Sequence, residues 1–327
     1  MSEKLKMTDD RIRPLSHLNG AKPPAPAWFD DAIGAPSEED SVKVQGATIT
    51  YSVWGKLGCP GILLIHGGRA HRNWWRPFAP FFAENFRVAA LDLSGMGDSD
   101  RRAQYSVDCL VDEIFAVCEA AGLNKNGRPL LVGHSFGGWM ALAAVERDGD
   151  KLGGAVVLDS PLGKPDPNEG YTVVKGKSDK DNIKPFQPRI YKTLEEPVGR
   201  FRFLPNQPAE HLYLVDYIAR TALKEVDDPD GGRGWTWKFD QGHTMNFDIR
   251  FERDLLRASR CPLAFVYGEK SAFAAADAIQ HLRDQARGRS PFIMMPEAHH
   301  HLMMDEPMAF ISTMRTLFSC WPVRVGG

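Results

Sequence analysis

The segment Gly133-His134-Ser135-Phe136-Gly137-Gly138 follows the apolar run Pro129-Leu130-Leu131-Val132 and leads into Trp139-Met140-Ala141-Leu142-Ala143-Ala144-Val145. A serine therefore sits on a sharp turn between a buried strand and a helix, the arrangement of a nucleophile elbow. Such a turn forces the serine into a strained backbone conformation, and a Cβ on the residues at 133 or 137 would collide with strand or helix, so glycine is required at both. The strain holds Oγ out at the carboxyl end of a sheet, and the first amides of the new helix face any negative charge forming beside it. The plain alternative is a glycine-rich helix entry with no chemistry.

The rest of the chain supplies the sheet that this turn needs. Val42-Lys43-Val44 and Ala47 to Val53 predict an antiparallel pair turning at Gln45-Gly46. Gly61 to Ile65, Val88 to Leu91, Leu130 to Val132, Ala155 to Leu158, Leu263 to Tyr267 and Phe292 to Met295 are short, apolar on both faces and separated by helical patterns. That alternation predicts an α/β fold with a mostly parallel eight-stranded sheet covered by helices on both faces. About a hundred residues separate Leu158 from Leu263, far more than one βαβ unit needs. The gap predicts an insertion after the sixth strand, with a polar part, Lys164 to Asn182, and a part rich in Tyr213, Tyr217, Trp235, Trp237 and Phe239. The expected division is an N-terminal arm over 1–40, a core over 41–160 and 256–327, and a helical cap over 161–255 above the carboxyl edge of the sheet, where open α/β folds bind ligands. Taken singly, the cap aromatics can equally form the cap's own core.

Composition narrows the class. With 327 residues and 43% hydrophobic content the chain can bury a large core. A net charge of -2 leaves no electrostatic footprint for nucleic acid or an anionic membrane, so the expected partner is a small-molecule substrate; oligomeric state is not encoded. The longest apolar stretches are too short to span a bilayer, and Met1-Ser2-Glu3-Lys4-Leu5-Lys6 places charge where a signal peptide has its apolar centre, which predicts a cytoplasmic protein. Five scattered cysteines without CxxC spacing fit reduced structural thiols. His299-His300-His301 is contiguous rather than spaced for metal ligation, Asp92-x-x-Gly-x-Gly-x-Ser lacks the lysine and spacing of a P-loop, and no dinucleotide fingerprint occurs. No metal and no cofactor are expected.

Four motifs in order, His66-Gly67-Gly68, Asp92-Leu93-Ser94-Gly95-Met96-Gly97-Asp98-Ser99, Gly133 to Gly138, and Ala298-His299-His300-His301-Leu302, resemble the α/β-hydrolase superfamily over nearly everything from about residue 42 onward. The resemblance implies the nucleophile, acid, histidine order. It implies Ser135 as nucleophile, and the amides of Gly68 and Phe136 as oxyanion donors. Of ten histidines, His66 and His134 lie in motifs where the family uses the ring structurally, while His17, His71, His211, His243 and His281 lack a strand-end position. Aligning Ala298 and Leu302 with the family's Ala-Gly-His-His-Leu pattern implies His300 as base, with His299 and then His301 as alternatives.

The acid departs from the common pattern. Family members often read Gly-Glu-x-Asp after the seventh strand; here the segment is Gly268-Glu269-Lys270-Ser271, with a serine in the aspartate slot. Family variants place the acid after the sixth strand instead, which points to Asp159, although an aspartate there can simply cap a turn. Glu269 is the alternative acid, with Asp277 or a triad without a strong acid behind it. Serine at 135 argues against the aspartate-nucleophile chemistry of haloalkane dehalogenases and epoxide hydrolases. The expected activity is cleavage of a small-molecule carboxylic ester, or a related thioester or lactone, through an acyl-enzyme. A C–C bond hydrolase, perhydrolase, acyltransferase or non-catalytic ligand receptor on the same scaffold are the alternatives. Arg69, Trp139, Trp235 and Trp237 are the expected substrate-contacting residues.

Overall fold

Strands that are apolar on both faces can only be satisfied inside a sheet covered twice, and that is where they lie. The structure is a computed structural model that describes residues 13–163, 166, 170–174, 188–240, 248–286 and 290–321. In chain order its strands are β1 (Glu38–Val44), β2 (Ala47–Trp54), β3 (Gly61–Ile65), β4 (Arg87–Leu91), β5 (Leu130–His134), β6 (Gly154–Leu158), β7 (Tyr171–Val174), β8 (Leu223–Asp227), β9 (Arg233–Trp237), β10 (Ile249–Phe251), β11 (Leu263–Gly268) and β12 (Phe292–Met295). The main sheet has the order β1-β2-β4-β3-β5-β6-β11-β12. β1 and β2 are antiparallel, β2 is antiparallel to β4, and every later pair is parallel. Gln45 and Gly46 both take positive φ, 47° and 82°, which closes the β1–β2 hairpin with the twist its strands need.

Alternation along each strand divides the core in two. Leu63, Ile65, Ala89, Leu91 and Leu131 face one side, against Leu110, Ile114, Met140 and Leu142 of the helices Val107–Ala120 and Phe136–Asp148. Ile62, Leu64, Val88, Ala90 and Val132 face the other, against Phe78, Phe82, Phe310 and Met314. The chain leaves β3 toward the second side and β5 toward the first. Since β3 and β5 are neighbours, with Ile65 opposite Gly133, their carboxyl ends diverge and open a crevice.

The Asp92 to Ser99 segment is a structural turn. Buried Asp92 accepts hydrogen bonds from the amides of Arg72 (2.6 Å) and Asp98 (2.8 Å) and from the Thr50 hydroxyl (3.1 Å), and pairs with the Arg72 guanidinium. A Cβ at Gly97 would strike that carboxylate at 2.1 Å.

Between β6 and β11 the chain makes both helices and strands, rather than the helical insertion expected. Leu223-Lys-Glu-Val-Asp and Arg233-Gly-Trp-Thr-Trp read with period two around Asp228-Pro229-Asp230-Gly231-Gly232, and they pair as a hairpin from Leu223–Trp237 to Asp227–Arg233. β7 and β10 form a second antiparallel pair. Helices occupy Glu195–Gly199 and Leu212–Thr221. Much of the polar stretch from Lys164 to Asn182 lies outside the described residues. Lys238 pairs with Asp98 at 2.8 Å, and the Asp240 amide donates to the Gly95 carbonyl at 2.6 Å, so the insertion is fastened to the turn after β4. Of the N-terminal arm, residues 1–12 lie outside the described residues; the helix Ala27–Gly34 packs Phe29 edge-on against Tyr213 and Tyr217, at 4.9 and 5.8 Å between ring centroids. Those two tyrosines are packing residues. Among the described residues no helix is long and apolar enough to cross a membrane.

Packing behind the crevice is close enough to reverse a propensity rule. Alanine normally stabilises a helix over glycine by about 1 kcal/mol, but a Cβ at Gly137 would lie 2.4 and 2.6 Å from the carbonyl oxygens of Ile65 and His66. Both are backbone atoms and cannot swing away. Gly137→Ala should therefore lose roughly 2–3 kcal/mol in urea unfolding; equal or greater stability would show that β3 and the helix are not in this contact.

Candidate active site

β5 ends at His134, and the next residue turns the chain through a conformation that L side chains rarely adopt: Ser135 has φ 53° and ψ -117°. Three neighbours leave room for it. A Cβ at Gly133 would lie 2.2 Å from the Gly137 carbonyl oxygen, and one at Gly138 would lie 1.9 Å from Ser160 Oγ. The turn is pinned at both ends, with the Ser135 amide donating to the Leu158 carbonyl (2.9 Å) and Ser160 Oγ donating to the Ser135 carbonyl (2.8 Å). Ser135 Oγ is thereby held at the carboxyl end of β5, where the helix Phe136–Asp148 begins.

Two side chains from distant strand ends meet it. His300 Nε2 lies 3.0 Å from Ser135 Oγ, and His300 Nδ1 lies 3.1 Å from Asp159 Oδ1. Asp159, at the end of β6, is fully buried and also has positive φ, 46°. A carboxylate only accepts, so the imidazole proton sits on Nδ1 and donates to Asp159, leaving Nε2 to accept from the serine hydroxyl. The carboxylate takes two further donors. The Gly268 amide donates to Oδ2 at 2.8 Å, and the Ser271 hydroxyl donates to Oδ1 at 2.6 Å. Sequence reasoning marked position 271 as an acid slot filled by serine and stopped there. In space that slot faces Asp159, so the serine solvates the displaced acid.

The alternatives lie elsewhere. Glu269 is exposed and accepts from the Glu297 amide at 3.2 Å. Asp277 is exposed at the start of the helix Ala276–Ala286. His299 turns to Asp305, with Nδ1 3.3 Å from Oδ2, and His301 donates to Gln207 Oε1 from Nδ1 at 2.7 Å. His243 lies outside the described residues.

The imidazoles around His300 are held neutral. Burial pushes His134 down to about 3, burial and the adjacent rings of His300 and His134 hold His301 well below the usual histidine value, and burial lowers His66. His134 Nε2 donates to the His300 carbonyl (2.9 Å), and His66 Nε2 accepts from the Leu93 amide (3.1 Å), so both rings are backbone braces. His300 can take up a proton without a charged ring beside it. The Phe273 ring meets His300 edge to face at 4.7 Å and closes its remaining side.

A cavity of about 530 Å³ lies beside this arrangement and adjoins it at Gly68 and His301. Gly68, Arg69, Trp237 and His301 line it. Ser135 and His300 are not among its lining residues; Gly67, where a Cβ would stand 3.5 Å from Ser135 Cβ, directly precedes the lining residue Gly68. Phe136 is the first residue of its helix. Trp139 is 7% exposed, packs in the core and donates its indole proton to the Pro161 carbonyl at 3.0 Å; it is not among the lining residues. Trp235 bridges to Tyr191 at the margin of the core and does not line the cavity either. Tyr191, Arg200, Phe201 and Arg202 do line it, and no motif announced them. A second concavity of about 600 Å³, around Gln45–Ala47 and Asp100–Ser106, contains none of these groups. Among the described residues no three or more His, Cys, Asp or Glu side chains are gathered as a metal ion would require.

Comparison with known proteins agrees with this architecture. The profile described as "Alpha/beta hydrolase family" matches residues 62–313. Epoxide hydrolase 4 of Mus musculus is 36% identical over 279 residues, 81% of this chain and 75% of that protein. Epoxide hydrolase 3 of Xenopus tropicalis is 23% identical over 90% of this chain and 81% of its own length. Among solved structures, the thioesterase domain from the curacin biosynthetic pathway superposes with a TM-score of 0.68 at 21% identity, covering 86% of this chain and all of that one.

The geometry separates the two acid candidates by experiment. Asp159→Asn should lower hydrolytic turnover by about three to four orders of magnitude, because the imidazolium loses its counter-charge and the ring its tautomer, while Glu269→Gln stays within about twofold of the parent, as expected for an exposed group. Ser271→Ala should cost about tenfold, the worth of one charge-assisted hydrogen bond. Near-normal Asp159→Asn with a collapsed Glu269→Gln would reverse the assignment.

Proposed function

The chain belongs to the α/β-hydrolase family, and within it we propose a serine hydrolase that cleaves a small-molecule carboxylic ester, or a related thioester or lactone, through an acyl-enzyme on Ser135. The observation that carries this reading is the unbroken relay from Asp159 through His300 to Ser135, with contacts of 3.1 and 3.0 Å, ending on a serine held out by positive φ.

The chemistry follows from proton positions. A serine hydroxyl is a weak nucleophile near neutral pH, so His300 Nε2 takes its proton as Oγ attacks the substrate carbonyl. The imidazolium is then paired through Nδ1–H with Asp159. Negative charge on the former carbonyl oxygen is received by the amides of Phe136 and Gly68, each worth a few kcal/mol at the transition state. His300 returns the proton to the leaving alkoxide, the acyl-enzyme remains, and the ring next activates water to release the acid. The described part of the insertion between β6 and β11 acts as a cap that confines the substrate, and its Trp237 lines the cavity together with Arg69 of the core.

The similarity to proteins named epoxide hydrolases favours the scaffold more than the reaction. A carboxylate that opens an epoxide forms an ester, which water can cleave at the carbonyl. A serine oxygen would form an ether with no carbonyl to attack, and turnover would end there. Serine is suited to acyl groups, which it passes on to water.

A fluorophosphonate probe tests the reading. Wild-type protein should be labelled on Ser135 and should hydrolyse p-nitrophenyl esters. Ser135→Ala should lose both, and His300→Ala should lose turnover to a comparable degree because nucleophile and base act as a unit. An unlabelled Ser135 in folded protein, or substantial esterase activity left in Ser135→Ala, would overturn the serine mechanism.

A further inference from the structure

The cavity beside the candidate site is built from aromatic faces and arginines, and among the described residues no Asp or Glu lines it. Four guanidinium groups, from Arg69, Arg189, Arg200 and Arg202, border it. Three are laid on rings: Arg69 over Phe239 (5.7 Å), Arg189 over Tyr191 (4.9 Å) and Arg200 over Tyr191 (5.9 Å). Glu196, outside the cavity lining, lies 3.8 Å from Arg189 and 3.3 Å from Arg200 and partly offsets these two. Arg69 and Arg202 have no carboxylate within salt-bridge distance among the described residues. Such an excess of positive charge against apolar walls is complementary to an anion with an apolar body.

Arg69 carries a second mark. Its φ is 62°, in the left-handed region where a glycine would sit without strain, and it directly follows Gly68 at the mouth of the crevice. The strained backbone holds an exposed arginine beside the candidate centre, with no carboxylate paired to it among the described residues. Backbone strain of this kind collects at ligand-binding positions.

We propose that the substrate is an anion: an ester, or related acyl compound, whose far end bears a carboxylate received by Arg69 and Arg202 while its apolar body lies between Trp237, Phe239 and Phe203. The proposal rests on the serine hydrolase reading for the bond that is cut, but the charge selectivity is a separate property of the cavity. Arginine suits the task because its planar fork meets a carboxylate with two parallel hydrogen bonds and keeps its charge at any physiological pH.

Calorimetric titration of the full-length wild-type protein with hydrocinnamate and with its neutral isostere hydrocinnamamide tests the charge selectivity without turnover. The carboxylate should bind about tenfold more tightly, and the gap should narrow as salt is raised. In the double variant Arg69→Gln/Arg202→Gln the gap should close while the circular-dichroism spectrum and melting temperature stay those of the wild type, which shows the fold intact. Equal binding of the two ligands by wild-type protein, or a gap that survives in the double variant, would overturn the proposal. A carboxylate preference in protein whose Ser135 cannot be labelled would instead remove the serine mechanism and leave the anion site standing.

Discussion

The carboxylate of Asp159 is completely buried, and a buried charge persists only where donors replace the water it has lost. Here three donors come from two distant stretches of chain. The Gly268 amide ends β11, the Ser271 hydroxyl belongs to the turn after it, and His300 Nδ1 belongs to the loop after β12. Asp159 itself directly follows β6, so one side chain ties neighbouring strand ends together and sets where His300 stands relative to Ser135. Gly268 has to be small for this to happen: a Cβ there would lie 2.3 Å from the His299 carbonyl oxygen and push the histidine loop away. The remaining geometry of the site depends on that junction, because the elbow fixes only the serine.

Much of the fold could be read from the chain because its signals are local. Runs apolar on both faces become parallel strands for want of any other burial, and the elbow glycines stand where a Cβ would lie 2.2 and 2.4 Å from backbone carbonyl oxygens, leaving no room for a side chain. The insertion was harder to read. Its strands alternate correctly, but Trp235 and Trp237 stand out along the chain as aromatic residues more than as period-two positions on one short strand, and a length gap says nothing about what fills it.

The site shows the same division. Ser135 and the histidine run are announced by motif, whereas the partner of His300 depends on which strand end carries an acid at the right depth, a property of tertiary structure. The serine at position 271 was visible as a departure and its meaning was not, since a hydroxyl donating to an aspartate 112 residues away leaves no pattern in sequence. The arginines at 200 and 202 were silent for another reason: along the chain they look like ordinary solvated charges, and only the course of 200–204 along the cavity wall makes both of them lining residues. Trp139 shows the converse. It follows the elbow closely in sequence, yet helix geometry turns its indole to the Pro161 carbonyl and away from the substrate side.

Fold and site thus make one statement about charge. Buried Asp159 pairs with His300 from behind, the neutral imidazoles of His134 and His301 flank it, and four arginines, two of them partly offset by Glu196, border the neighbouring cavity. The most direct test of the central claim is to mix the protein with a p-nitrophenyl ester, quench in acid within the first turnovers, and measure the intact mass followed by a peptide map. The account predicts one added acyl group, carried by the peptide that contains Ser135. Hydrolysis with no covalent adduct at any time, or an adduct on a different residue, would contradict it.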